Sequence, residues 1–256
     1  MIELEDLVKH FGDVRAVDGI TLTVPRGEFF CVLGPNAAGK TTTIKMMVGL
    51  IRPTSGSARV AGFDLQSQPL EARARLSYVP DFPFLYDKLT PWEFIRFTGQ
   101  LFRMPEDRIR TEAEELIPRF SLEPWLHKPI EGLSHGTRQR VAIASALLHR
   151  PEAFVIDEPM VGLDPHHARI VKDLLRERSR QGMTIFLSTH QIEVAEEMAD
   201  RVGIIHQGRL MAVGTPEELR RRAGVDGALE QAFLALTRPL DPPGAGTAMA
   251  PTGGVP

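Results

Sequence analysis

The chain is short of the features that would place it outside the cell or inside a membrane. It has one cysteine, Cys31, so no intrachain disulfide can form. No stretch approaches the roughly 18 consecutive apolar residues of a membrane span. The opening Met1-Ile2-Glu3-Leu4-Glu5-Asp6 carries acids early, with no basic stretch ahead of an apolar one, so no secretory signal is expected. Charge of one sign is missing too: 30 Lys and Arg stand against 33 Asp and Glu, which leaves no basic field for nucleic acid. The simplest location is cytoplasmic, and any membrane link has to come through a partner. Disorder is excluded for most of the chain, because 43% of it is hydrophobic and only 25% charged.

Periodicity then gives the class. Residues 1–27 alternate like strands, with Ile20, Leu22 and Val24 apolar between threonines. Phe29-Phe30-Cys31-Val32-Leu33 is a continuous apolar run, as in a strand covered on both faces. From about Lys88 to His149 the pattern is helical. Thr90-Pro91-Trp92-Glu93 fits a capping box with proline at the first helical position. Further helices are expected over Glu106–Phe120 and Arg138–Leu148. Strand and helix then alternate: Phe154–Ile156, Ala168–Arg180, Thr184–Leu187 and Glu193–Ala199. A hairpin is expected across Gln207-Gly208. This is an α/β fold with a mainly parallel sheet. The segment Pro239–Pro256 holds five prolines and four glycines, so a disordered tail is expected there.

Three stretches carry chemistry. Gly34-Pro35-Asn36-Ala37-Ala38-Gly39-Lys40-Thr41, followed by Thr42, matches G-x-x-x-x-G-K-[ST] between an apolar strand and a helix. Backbone amides at such a turn cradle phosphates. Lys40 neutralises their oxygens, and the Thr41 hydroxyl suits Mg²⁺. Val155-Ile156-Asp157-Glu158 ends a buried strand in two carboxylates. Asp157 suits the metal, and Glu158 suits a base that polarises an attacking water. At Leu133-Ser134-His135-Gly136-Thr137-Arg138-Gln139-Arg140, Ser134 is a good helix cap and the amides near Gly136 offer donors to an anion.

That last stretch resembles the Leu-Ser-Gly-Gly-Gln signature of ABC-type ATPases, and Asp157 follows it where that family puts its Walker B strand. Phe11 resembles the aromatic residue that stacks on adenine. Gly162-Leu163-Asp164-Pro165 resembles the D-loop. His190, after Leu187-Ser188-Thr189, resembles the switch histidine. The resemblance spans about residues 2–220. It implies a P-loop NTPase core with an N-terminal antiparallel β-subdomain and an inserted α-helical signature subdomain at about 88–150. A helical extension at 221–238 follows.

The resemblance also implies the partners: ATP, Mg²⁺ on Thr41, Asp81 and Asp157, and a second copy set head to tail. In that arrangement Ser134, His135, Gly136 and Asp164 of one copy complete the ATP site of the other. Phe82–Thr90 and Leu229–Thr237 are similar to segments of multidrug and ABC-2-type exporters. They point to an ATPase subunit on the inner face of the cell membrane, held there by a separate permease. A soluble ABC ATPase without a transporter is the alternative. Three residues depart from the family pattern: Ala37 for a glycine, His135 for the first signature glycine, and Asp81 for the Q-loop glutamine. If position 37 needs positive φ, alanine costs about 1 kcal/mol there.

Overall fold

The computed structural model describes residues 1–237, so the Pro/Gly-rich segment lies outside the described residues. The chain begins with β1 (Ile2–Phe11), β2 (Val14–Val24), β3 (Phe29–Leu33) and helix α1 (Lys40–Met47). Next come β4 (Ser55–Val60), β5 (Phe63–Asp64), α2 (Pro69–Arg73) and β6 (Leu76–Val79). Three helices follow: α3 (Pro91–Leu101), α4 (Glu106–Arg119) and α5 (His135–Leu147). The alternating part is β7 (Ala153–Asp157), α6 (Pro165–Arg180), β8 (Thr184–Thr189), α7 (Ile192–Met198) and β9 (Arg201–His206). It ends in β10 (Arg209–Gly214), α8 (Pro216–Ala223) and α9 (Leu229–Thr237).

Two sheets form, as the alternation and the apolar runs require. One is the antiparallel set β2-β1-β4-β5. The other is β10-β9-β3-β8-β7-β6, parallel throughout except for the β9–β10 hairpin. Every residue of β3, β7 and β8 is buried, which is why Phe29–Leu33 and the stretches 153–156 and 185–187 read as apolar runs. The hairpin turns on Gln207 at φ 49° and Gly208 at φ 78°, the pair of left-handed residues that a two-residue turn of this hand needs.

Helix starts are set by caps that periodicity alone does not see. α5 begins at His135 rather than Arg138, because the Thr137 amide donates to Ser134 Oγ at 3.3 Å. α6 begins at Pro165 rather than Ala168, because Asp164 caps it through the His167 amide at 3.0 Å. The capping box at Thr90 and Glu93 forms as expected.

The inserted helices pack closely on one another. A Cβ on Gly99 of α3 would stand 2.6 Å from Ile109 Cγ1 of α4. Arg140 of α5 is buried, and its guanidinium donates to the carbonyls of Phe120 and Ser121 just beyond α4 and to Thr137 Oγ1. Burial pulls its proton affinity down, yet the three acceptors keep it in place. It therefore ties the end of α4 to the first turns of α5. At the other end, Leu229 and Ala232 of α9 are buried in the same core as Val202 and Ile204 of β9.

Replacing Arg140 by methionine strands the buried Phe120 carbonyl and the partly buried Ser121 carbonyl at the end of α4. The expected loss is about 1–3 kcal/mol of unfolding free energy. Urea titration should show a lower midpoint at an unchanged slope.

Candidate functional site

The parallel ladder decides where the chemistry gathers. Leu33 pairs with Thr189, and Asp157 with Ser188, so β3, β7 and β8 end level at their carboxyl edge. Open α/β sheets bind ligands in the crevice beyond that edge. Three loops leave from it, and each carries a sequence-predicted residue: Gly34 to Lys40, then Glu158, then His190.

The phosphate loop is built by close approach. A Cβ on Gly34 would stand 2.5 Å from the Ile205 carbonyl, and one on Gly39 would stand 2.7 Å from that of Ala16. Ala37 does sit at φ 63°, so alanine bears the left-handed strain at this departure from the family pattern. Lys40 is buried, and its ammonium donates to the Gly34 carbonyl at 2.6 Å and the Pro35 carbonyl at 3.1 Å. Burial lowers its pKa, while the Glu158 and Asp157 carboxylates oppose that shift.

The carboxylates are held from two sides. Thr41 Oγ1 donates to Asp157 Oδ2 at 2.9 Å, and the Ser188 hydroxyl donates to Oδ1. Thr189 Oγ1 donates to Glu158 Oε2 at 2.9 Å, and His190 Nδ1 lies 2.8 Å from Oε1. Glu158 itself is at φ 49°, a strained position of the kind found at functional sites. A cavity of about 500 Å³ opens over these groups. Asn36 to Thr42, Asp81, Asp157 and Glu158 line it, and so do Phe11, Val14 to Ala16 and Gln207-Gly208. Lys9 Nζ lies 5.1 Å from the centre of the Phe11 ring.

Gly34 and Pro35 enter through their carbonyls, and His190 enters through Glu158. Ser134, His135, Gly136 and Asp164 do not line this cavity. Asp164 is turned to its own helix, where His167 holds its carboxyl down at about 2. Around Gly162, at φ 76°, the signature and D-loop touch. A Cβ on Gly136 would lie 2.7 Å from the Gly162 carbonyl, and one on Gly162 would lie 2.9 Å from His135 Nδ1.

Sequence reading missed the two hydroxyls that hold the carboxylates, Ser188 and Thr189. The signal was present: two hydroxyl residues ending an apolar strand beside the strand that ends in Asp157. It also missed Arg15, Ala16, Gln207 and Gly208, which reach the cavity only because β2 and the β9–β10 hairpin fold over it. A third omission is Thr137, which stands where the signature has glutamine and bonds Ser134 Oγ at 2.9 Å.

A family model described as ABC transporter matches residues 17–161. The chain belongs to this family. A second model, of an AAA domain, matches residues 128–196. The linearmycin resistance ATP-binding protein LnrL of Bacillus subtilis is 34% identical over 247 residues, covering 94% of this chain and 79% of its own. A solved ATP-binding subunit of an ABC transporter superimposes with TM-score 0.89 at 33% identity, over 93% of this chain and 100% of that one. A dimeric cassette caught after hydrolysis with ADP and phosphate superimposes with TM-score 0.77 at 25% identity, over 84% and 98%. The protein is thus an ABC-type ATPase.

Among the described residues no group of three or more His, Cys, Asp or Glu could by itself hold a metal. The Thr41–Asp157 pair fits Mg²⁺ all the same, because that ion takes one or two protein ligands and completes its shell with phosphate and water.

Asp81 is the outlier. Its Oδ1 is buried and has no hydrogen-bond partner among the described residues. Burial, Asp157 and Glu158 all push its pKa up, against smaller pulls from His135 and His190. A carboxyl whose folded pKa is raised destabilises the fold once it ionises. That cost is absent below its unfolded value near 3.8, grows as pH rises to the folded pKa, and is full above it. Asp81→Asn should therefore raise the melting temperature of the nucleotide-free protein at pH 8. The gain should shrink as the pH is lowered toward 4, as scanning calorimetry across that range would show.

Proposed function

We propose that this chain is the ATP-hydrolysing subunit of an exporter and drives a separate membrane permease. The observation that carries this reading is an apolar surface beside the Q-loop. Phe82, Phe84 and Tyr86 are 75%, 93% and 55% exposed, next to a groove of about 210 Å³ floored by Tyr78, Pro83, Phe94 and Phe102. Exposed aromatic clusters of this kind mark binding surfaces. The surface continues directly from Asp81 in the nucleotide cavity, so a docked permease element would sense the site. Among the described residues no helix is long and apolar enough to cross a membrane. The resistance function in the name of the Bacillus relative favours export over import.

The mechanism follows from the site. ATP is taken with its base on the Phe11 ring and its phosphates on the amides of Asn36 to Thr42. The Lys40 ammonium leaves its loop carbonyls for the phosphate oxygens. Thr41 and Asp157, with Asp81 beside them, would hold Mg²⁺, which neutralises phosphate charge when bound. Glu158 is fixed by Thr189 and His190 with its carboxylate toward the cavity. It takes a proton from the water that attacks the γ-phosphorus, while the bond to the bridging oxygen breaks and ADP leaves. His190 steadies Glu158 and offers a donor to the γ-phosphate. Ser134, His135, Gly136 and Asp164 do not line the cavity of their own chain. Ser134, Gly136 and Asp164 serve the ATP of a second, head-to-tail copy.

Glutamine at position 158 keeps the shape but is a far poorer base. Glu158→Gln should bind Mg-ATP, lose nearly all turnover, and elute as a dimer in size-exclusion chromatography only when Mg-ATP is present. Full activity in this variant would remove Glu158 from its role.

Phe84→Asp tests the docking surface. In cell extracts the wild-type subunit should sediment with membranes, and the variant should stay in the supernatant. A wild-type protein that never sediments would instead support an ABC ATPase uncoupled from transport.

A further inference from the structure

The histidine at the signature position has a role that its own chain explains. Two of its contacts are with loops of its own chain. The His135 ring meets the Phe82 ring edge to face, with centroids 5.9 Å apart and planes at 77°. Its Nδ1 also rests against bare Gly162 of the D-loop, where a Cβ would stand only 2.9 Å away. Phe82 adjoins Asp81, whose side chain lines the nucleotide cavity. Four residues further on, Tyr86 packs edge to face on Phe97 of α3, at 5.5 Å and 88°. The Q-loop segment is therefore pinned to the helical insertion at two places by aromatic pairs. A glycine at 135 could make neither the Phe82 contact nor the D-loop contact.

We propose that His135 is a positioning residue. It clasps the Q-loop to the signature and D-loops of the same chain, so that Asp81 moves with the helical insertion as one body. The physical reason is range. Phe82 is largely exposed, and its ring contact with His135 is the tie nearest Asp81; the next, Arg138 to Asp87 at 2.8 Å, lies five residues further on. Leu85 is buried in the core, so without the ring the freedom is confined to the short stretch between β6 and Leu85, and there Asp81 shifts in its distance to Asp157 and Glu158. Turnover needs that distance; ATP capture, which rests on the phosphate loop and Phe11, does not. The clasp should thus act on kcat and leave KM for ATP nearly unchanged. The inference rests on the ATPase site described above, but not on a permease.

Four purified variants test it in a steady-state ATPase assay: His135→Gly, His135→Phe, Phe82→Ala, and the double variant His135→Gly/Phe82→Ala. An aromatic pair of this geometry sets the scale, and His135→Gly and Phe82→Ala should each lower kcat by roughly 2- to 10-fold. The double variant should fall no further than the lower single, since both remove one contact. His135→Phe keeps a ring against Phe82 and should lose clearly less kcat than His135→Gly. Both sites are exposed, so melting temperatures should change little and serve as the check on folding. Multiplying losses in the double variant, or a His135→Phe enzyme as slow as His135→Gly, would overturn the clasp. The latter would assign the imidazole nitrogens a role at the partner's nucleotide instead. Loss of turnover in Glu158→Gln, run alongside, keeps the reading of the hydrolytic site separate from this outcome.

Discussion

The chemistry of this protein rests on strand register. Three parallel strands, each buried along its whole length, pair so that Leu33, Asp157 and Thr189 finish at one level. The ladder of backbone hydrogen bonds fixes that level, and a slip of one residue would turn each strand's side chains to the opposite faces. Asp157 would then no longer face Thr41 and Ser188. The phosphate loop, the carboxylate pair and the switch histidine are far apart in sequence, and each is short and adaptable. The sheet edge supplies their common origin, and the hydroxyls of Thr41, Ser188 and Thr189 set the final orientation.

The site also stores unfavourable terms that its ligands are suited to relieve. Glu158 and Ala37 occupy left-handed backbone conformations without being glycine. Asp81, Asp157 and Glu158 bring three carboxyl groups toward one cavity, where Lys40 is the nearby cation and is itself partly desolvated. Interactions among Lys40, Asp157 and Glu158 are strengthened because all three are buried. A chain optimised for stability alone would not arrange them so. A site that must grip a metal-bound triphosphate and then release products is served by this imbalance.

Much of this was legible in the sequence, for identifiable reasons. The phosphate loop and the Asp157–Glu158 strand end are local: a few adjacent residues with the right flanks carry the whole signal. The apolar runs of β3, β7 and β8 gave the parallel sheet, and Thr90-Pro91-Trp92-Glu93 gave the start of α3. Helix starts at His135 and Pro165 were misplaced by three residues. There the caps, Ser134 and Asp164, outweigh the apolar period in deciding where a helix begins. Ser188, Thr189 and Gln207 were missed as site residues, because their role comes from a neighbouring strand or a hairpin folded over the cavity. No pattern along the chain encodes that proximity. The helices of residues 88–149 were read from their own pattern, but that they form an inserted subdomain, and that residues 1–27 belong to an antiparallel one, came from family resemblance, since alternation alone does not say which strands pair.

The contact between His135 and Gly162 has a further consequence, for the order in which this sequence could change over generations. Position 162 must stay bare while position 135 carries a ring, because a methyl group on one would collide with the imidazole of the other. Its left-handed backbone narrows the choice further. The ring could be lost first at little steric cost, returning the signature to the glycine seen in the family motif. The reverse path is harder: a side chain at 162 would force the ring at 135 to swing aside and would still bear the left-handed backbone. Relatives that carry a bulky residue at the position of His135 should therefore keep glycine at the position of Gly162, whereas relatives with glycine in the signature are free of that demand.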